Sequence, residues 1–270
     1  MDKGLLSWCV LIPCLNQEKA IATVVRSALE LGRPVIVVDD GSDDRTHEIA
    51  GSFPVTLLRH AQRQGKGATL RMGFRKALRL GFDAAVTMDD DGQHLASDIP
   101  RLVAAATRYP NSSVIAARSL ERGQQPRANA NAIADWGISR SCAYPVVDPQ
   151  SGQRWYPHNA LKLADLTAEN FVFETAILIH ALREGKMDVV SIPIASRYRA
   201  DFRLSHYRPI ADVSRSTGYV AGAPWRDGHP MASFRRARQC PHVVDEQVAR
   251  HRPEVGRYER GNESTMSANG

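Results

Sequence analysis

Along the chain, short unbroken apolar runs alternate with stretches in which apolar residues recur at helical spacing. Cys9-Val10-Leu11-Ile12-Pro13 has strand length and no polar alternation, as expected of a strand covered on both faces. Ile21, Val24, Val25, Ala28 and Leu29 then follow a helical period, with Asn16 and Glu18 at the start of the segment and Gly32 and Pro34 closing it. Val35-Ile36-Val37-Val38 is a second buried strand, ending in Asp39-Asp40-Gly41-Ser42. Strand, helix and strand in this order predict a right-handed parallel βαβ unit, with ligand groups at the carboxyl ends of the strands. Residues 13–18 and 39–42 then open on one crevice.

The alternation continues with a short helix from Asp44 to about Ala50 and a strand from Val55 to Leu58. The loop Arg63-Gln64-Gly65-Lys66-Gly67 opens a helix carrying Leu70, Phe74, Ala77 and Leu78. A strand over 84–88 leads to a helix capped by Ser97 or Asp98 and reaching Tyr109, with Pro100 in its first turn. Ser113 to Ala116 is a further strand, ending at Arg118. Residues 121–131, rich in Gln, Asn and Arg, read either as a lid or as a disordered connection. Order returns at Asp148 to Trp155, in a helix near 173–183 and in a strand over 188–194. The pattern predicts one α/β domain over 1–215 and a poorly ordered basic tail over 216–270, with short helices possible around 231–239 and 245–250.

Chemistry concentrates at Asp89-Asp90-Asp91-Gly92-Gln93-His94, directly after a buried strand. Adjacent carboxylates there repel one another unless a cation neutralises them, and hard Mg²⁺ or Mn²⁺ suits carboxylate oxygen completed by substrate phosphates. In extended chain Asp89, Asp91 and Gln93 share a face while Asp90 points elsewhere. A plain polar loop fits the same residues. Gly65-Lys66-Gly67 at a helix start is either an anion cradle or an ordinary glycine turn with an exposed lysine.

Net charge of +6 and pI near 9.3 suit an anionic partner, whether nucleotide, phospholipid surface or nucleic acid. Arg197, Arg199, Arg203, His206 and Arg208 form a basic segment that either meets phosphates or an anionic membrane, or is a solvated face. Cys9, Cys14, Cys142 and Cys240 lack metal-ligand spacing, which fits a reduced, cytoplasmic setting. The segment 5–15 is broken by Pro13 and too short to span a bilayer, so neither signal peptide nor transmembrane segment is expected.

With these segments in order, the chain resembles family 2 glycosyltransferases of the GT-A fold, particularly the branch of dolichyl-phosphate mannose synthase and bacterial polyprenyl-phosphate glycosyltransferases. The resemblance rests on residues 10–16, 37–42, 65–67, 88–94 and 148–154, and covers roughly Leu5 to Asp212. It implies a Rossmann-like, mostly parallel sheet flanked by helices. It also implies a metal-dependent, inverting hexosyltransferase that moves a sugar from a UDP- or GDP-sugar to a polyprenyl phosphate or other lipid-linked acceptor. Nucleic acid is then not a partner, and any membrane contact is peripheral, at the inner face.

By this resemblance Asp40 hydrogen-bonds the nucleotide base and Pro13 with its neighbouring backbone shapes the base pocket; Asn16, Glu18, Asp39, Gly41, Lys66 and Gly67 complete the substrate-binding set. Asp89 and Asp91, with Gln93 as a third ligand, hold Mg²⁺ or Mn²⁺, so that Asp91 also counts as catalytic, and Asp90 faces the ribose or sugar. Arg118 and Arg154 hold the acceptor phosphate or the departing diphosphate. A lipid phosphate needs no general base; for a hydroxyl acceptor Glu174, within Phe171-Val172-Phe173-Glu174-Thr175, is the candidate, its other reading being a surface or capping carboxylate. Leu15 and Gln17 replace the family's usual aromatic and acidic residues, Gln153 replaces a phenylalanine, and 124–143 lacks the usual Arg and Ser pattern. These departures leave the base open and admit an alternative, a degenerate member that binds nucleotide sugar without transferring it.

Overall fold

The computed structural model describes residues 6–92, 94–119, 136–166, 172–184, 187–195 and 235. Gln93, Phe171, Cys240, the lid segment 121–131, the basic segment 197–208 and, apart from residue 235, the tail helices lie outside the described residues.

A seven-stranded sheet has the order β3-β2-β1-β4-β6-β5-β7. Its strands are β1 (Trp8–Cys14), β2 (Val35–Asp39), β3 (Thr56–Arg59), β4 (Ala84–Thr87), β5 (Ser112–Ser119), β6 (Arg154–Pro157) and β7 (Asp188–Ala195). The helices are α1 (Ile21–Leu29), α2 (Thr46–Gly51), α3 (Lys66–Arg79), α4 (Ile99–Arg108), α5 (described over 136–142), α6 (His158–Leu161) and α7 (Val172–Arg183). β1 pairs in parallel with β2 and β4, β2 with β3, and β5 with β7. β6 runs antiparallel to both β4 and β5.

The unbroken apolar runs have a direct cause. In β1, Cys9 and Leu11 enter a core layer with Leu70 and Phe74 of α3 and Phe173 and Ile177 of α7, while Val10 and Ile12 enter the opposite layer with Ile21 and Val24 of α1 and Ile99 and Leu102 of α4. Both faces are dry, so no polar alternation survives. β6 joins the two layers: Trp155 meets Trp8 edge-on at 6.0 Å, and Tyr156 meets Phe74 at 4.9 Å between ring centroids.

The structure departs from the sequence reading in three places. The first helix begins at Ile21 instead of near Asn16, because Asn16 takes a left-handed conformation (φ 53°) that a helix cannot include. Asp98 sits at the N-cap of α4 without a side-chain cap bond, since a 3-10 turn over Ala96–Asp98 leads into the helix. Arg154 belongs to β6, a strand that the apolar pattern does not predict.

Candidate active site

The loops that follow β1, β2 and β4 gather at the carboxyl ends of these strands. The two loops after β1 and β2 are laced together. Asn16 N–H donates to Ser42 Oγ (2.9 Å), Gln17 N–H to Thr46 Oγ1 (2.7 Å) and Glu18 N–H to Asp44 Oδ2 (3.1 Å), while Asp43 N–H donates to Asn16 Oδ1 (3.0 Å) and Arg45 N–H to Glu18 Oε2 (3.4 Å). Asn16 and Glu18 thus use side-chain oxygens to fix the crevice wall, and Pro13 is buried within β1. Asp39 is fully buried, accepting from Ser42 N–H (2.9 Å) and lying 3.2 Å from both Arg59 Nε and His47 Nδ1. It is a packed carboxyl group at the end of β2, engaged by Ser42, Arg59 and His47.

Asp40 also turns inward, at 3 % exposure. Its Oδ1 accepts from Gln64 N–H (2.9 Å) and lies 2.8 Å from His60 Nδ1, and its Oδ2 accepts from Gly65 N–H (2.8 Å). The carboxylate read as a base contact therefore holds the loop that starts α3, with Gly65 as N-cap. Gly41 (φ 77°) allows this closeness, because a Cβ there would come within 2.9 Å of the Gln62 backbone. His60 and Gln64 have no motif signal of their own; Asp40 alone connects them to the site.

Through that loop Lys66 is delivered to the acidic segment. Its Nζ lies 2.8 Å from Asp89 Oδ1 and 3.3 Å from Glu174 Oε2 on α7. Burial works against the charged ammonium, but Asp89 and Glu174 outweigh it and hold the Lys66 pKa well above its ordinary value. Burial likewise opposes the Asp89 charge, and Lys66 with lesser help from His94 and Arg118 brings its pKa below the usual carboxylate range. Glu174 is 6 % exposed and paired with the Lys66 ammonium, so it is not a surface carboxylate.

Asp90 points the other way and accepts from Leu15 N–H (2.9 Å), tying the acidic turn to the end of β1. Burial, with the charges of Asp89 and Asp91 adding to it, pushes its pKa up to about 8. Asp89 and Asp90 thus turn to different partners, the Lys66 ammonium and the Leu15 amide. Asp91 is buried in the same turn, at 8 % exposure. His94 is buried with its Nδ1 3.5 Å from Asp89 Oδ2, and among the described residues neither ring nitrogen has a hydrogen-bond partner. Burial lowers its pKa and favours the neutral ring.

Among the described residues no group of three or more His, Cys, Asp and Glu side chains is arranged to hold a metal ion. The donor chemistry nevertheless fits one. Asp89 already seats a cation, Asp91 follows in the same turn, and the orphaned His94 ring lies beside Asp89. Two carboxylates with phosphate and water oxygens are a normal shell for Mg²⁺ or Mn²⁺.

Arg118, at the end of β5, is gripped by Asp148: Nε to Oδ2 and Nη2 to Oδ1 are both 2.8 Å, and Arg118 N–H donates to Oδ2 at 2.9 Å. Asp148 itself holds a left-handed backbone (φ 46°). Arg154, paired with Arg118 in the sequence reading, is placed differently. Its side chain is fully buried, with Nη2 donating to Pro149 O (2.7 Å) and Ser151 O (3.2 Å) and the guanidinium 5.6 Å over the Tyr156 ring. Position in β6 makes Arg154 an internal brace of the 149–152 turn. Gly67 is buried in the first turn of α3.

A mostly parallel sheet with one reversed strand, and an acidic turn after β4 facing a lysine at a helix start, define a GT-A glycosyltransferase. The chain belongs to glycosyl transferase family 2, whose model matches residues 9–158. It is similar to a UDP-N-acetylglucosamine–dolichyl-phosphate N-acetylglucosaminyltransferase of Methanococcus voltae, 29 % identical with 70 % of this chain and 85 % of the relative covered. An undecaprenyl-phosphate mannosyltransferase of Micrococcus luteus is also 29 % identical, over 68 % of this chain and 81 % of that protein. Among solved structures, glucosyl-3-phosphoglycerate synthase from Mycobacterium tuberculosis, in complex with Mn²⁺, UDP and phosphoglyceric acid, superposes with a TM-score of 0.62 at 24 % identity, over 83 % of this chain and 80 % of that one. At that identity the likeness is one of fold.

Proposed function

We propose that this family 2 glycosyltransferase is metal-dependent and inverting, taking a sugar from a UDP- or GDP-sugar in a single displacement and passing it to a polyprenyl phosphate or another lipid-linked acceptor. The observation that carries the reading is the meeting of Lys66 with Asp89 in the acidic turn, beneath the crevice formed by the loops after β1 and β2. The names of the Methanococcus and Micrococcus relatives, which specify polyprenyl-phosphate acceptors, support the acceptor class.

In this reading Asp89 and Asp91, with Gln93, hold Mg²⁺ or Mn²⁺. The bound ion supplies charge neutralisation on the leaving diphosphate, the main demand of such a transfer. Lys66 and Arg118 add fixed positive charge for the diphosphate and the acceptor phosphate. Asp148 aims Arg118 through a bidentate grip, which lowers the reorganisation needed when an anion arrives. The laced loops and Pro13 form the base pocket, Asp40 braces it from behind, and Asp90 lies toward the ribose or sugar. A phosphate acceptor is already anionic and calls for no base, which suits a Glu174 engaged with Lys66. No helix among the described residues is long and apolar enough to cross a membrane, and contact with the lipid carrier is peripheral in this proposal.

A thermal-shift screen of UDP- and GDP-sugars with and without Mn²⁺ tests the donor assignment. A matching donor raises the melting temperature only with metal, since a ligand that binds the folded state stabilises it by mass action. Stabilisation with no transfer to any polyprenyl phosphate points to a binding-only member. No stabilisation by any donor refutes the assignment.

A further inference from the structure

Lys66 sits on the acidic turn to which the proposed function assigns the metal. Its ammonium is 2.8 Å from Asp89 Oδ1, while Asp89 Oδ2 lies beside His94 Nδ1 at 3.5 Å. The backbone at Gly152 is pressed against the same carboxylate, so closely that a Cβ there would overlap both oxygens. A divalent ion binds carboxylate oxygen at about 2.0–2.2 Å. Both Asp89 oxygens are thus engaged, Oδ1 by Lys66 and Oδ2 by its contacts with His94 and Gly152, and a metal that takes Oδ1 meets the ammonium there. An ammonium and a metal sharing that oxygen would lie within about 4–5 Å of each other, a repulsion of several kT in a partly buried site.

Lys66 has a second carboxylate to turn to. Glu174 lies 3.3 Å away on α7, outside the acidic turn, and its other oxygen, Oε1, is buried without a hydrogen-bond partner among the described residues. Resting on the metal-dependent reading above, we propose that Lys66 is the resident counter-ion of Asp89. The ammonium and a divalent cation exclude one another on Asp89 Oδ1, and Glu174 is the positioning residue that keeps the displaced ammonium in the site. Metal alone then binds weakly, because it must break an ion pair. A nucleoside diphosphate restores the lost charge partner for Lys66, so metal and diphosphate load together.

The test measures Mn²⁺ bound to the full chain from the loss of the free-ion electron paramagnetic resonance signal, with Mn²⁺ alone and with UDP or GDP added. For the wild type, UDP or GDP tightens Mn²⁺ binding at least about tenfold, and Lys66→Met tightens binding of Mn²⁺ alone by a similar factor, as expected on removing a competing charge at this distance. The double variant Lys66→Met with Glu174→Gln removes one charge of each sign. It shows the same gain, and serves should the single variant fold poorly by circular dichroism. Variants that bind Mn²⁺ alone no tighter than wild type overturn the inference, as does wild-type Mn²⁺ binding that ignores both nucleotides. If neither wild type nor variants bind Mn²⁺ with or without nucleotide, the metal-dependent reading fails and takes the inference with it.

Discussion

Gly152 and Asp89 touch so closely that the carboxylate of one rests on the backbone of the other, leaving no room for a Cβ at position 152. The contact is set from below by Thr87, whose hydroxyl donates to Gly152 O at 2.7 Å and binds the end of β4 to the turn before β6. A Gly152→Ala variant has to push Asp89 aside. Displacing a reacting group by an ångström costs on the order of 100-fold in rate, so this variant is expected to fold, by circular dichroism, and to lose turnover by about that factor.

Asp148 aims Arg118, and the two can be separated without disturbing the backbone. Asparagine tolerates the left-handed conformation that Asp148 adopts at φ 46°. Asp148→Asn removes one charged arm of the bidentate grip and leaves the turn in place. Transfer rate is expected to fall roughly 10- to 100-fold, in line with loosening a positioned charge, while the thermal midpoint stays within a few degrees. Steady-state kinetics beside a melting curve checks both halves.

Asp40 makes a stability prediction as well as a binding one. Two backbone N–H groups, of Gln64 and Gly65, point at its carboxylate. Asp40→Asn weakens that acceptor set and is expected to cost about 1–3 kcal/mol, read by denaturant unfolding. Nucleotide affinity should fall too, because the loop carrying Lys66 is no longer held.

Much of the site was legible in the sequence because it lies next to strands buried on both faces. Runs such as Val35 to Val38 need no distant partner to be recognised, and the acidic and Gly-Lys motifs follow them directly. β6 was harder to see. Arg154-Trp155-Tyr156-Pro157 is short and mixed, and what makes it a strand is pairing with Ala84 to Thr87, far away in the chain. Without that pairing Arg154 reads as a ligand contact, whereas its guanidinium braces Pro149 and Ser151. Asp40 and Glu174 share that cause. Each side chain is committed to a partner on another element, His60 and Gly65 for the one and Lys66 for the other, and such partners carry no local pattern.

Thiol chemistry offers a check on the core that is independent of activity. Burial pushes the Cys9 and Cys142 thiols up to about 12, and Cys14 is also raised, by burial first and then by the nearby carboxylates led by Asp90. The thiolate is the reactive form. At pH 8 these three side chains are expected to resist maleimide in the native protein and to react fully in guanidinium, with sites assigned by peptide mass spectrometry.

The most direct measurement is transfer of labelled sugar from UDP- and GDP-sugars into an organic-phase polyprenyl phosphate, comparing wild type with Asp91→Asn, with Mn²⁺ or with excess chelator. The expected result is label in the lipid phase for wild type with Mn²⁺ only, and none above background for Asp91→Asn. Equal transfer in chelator, or by Asp91→Asn, would contradict a metal-dependent transfer centred on the acidic turn.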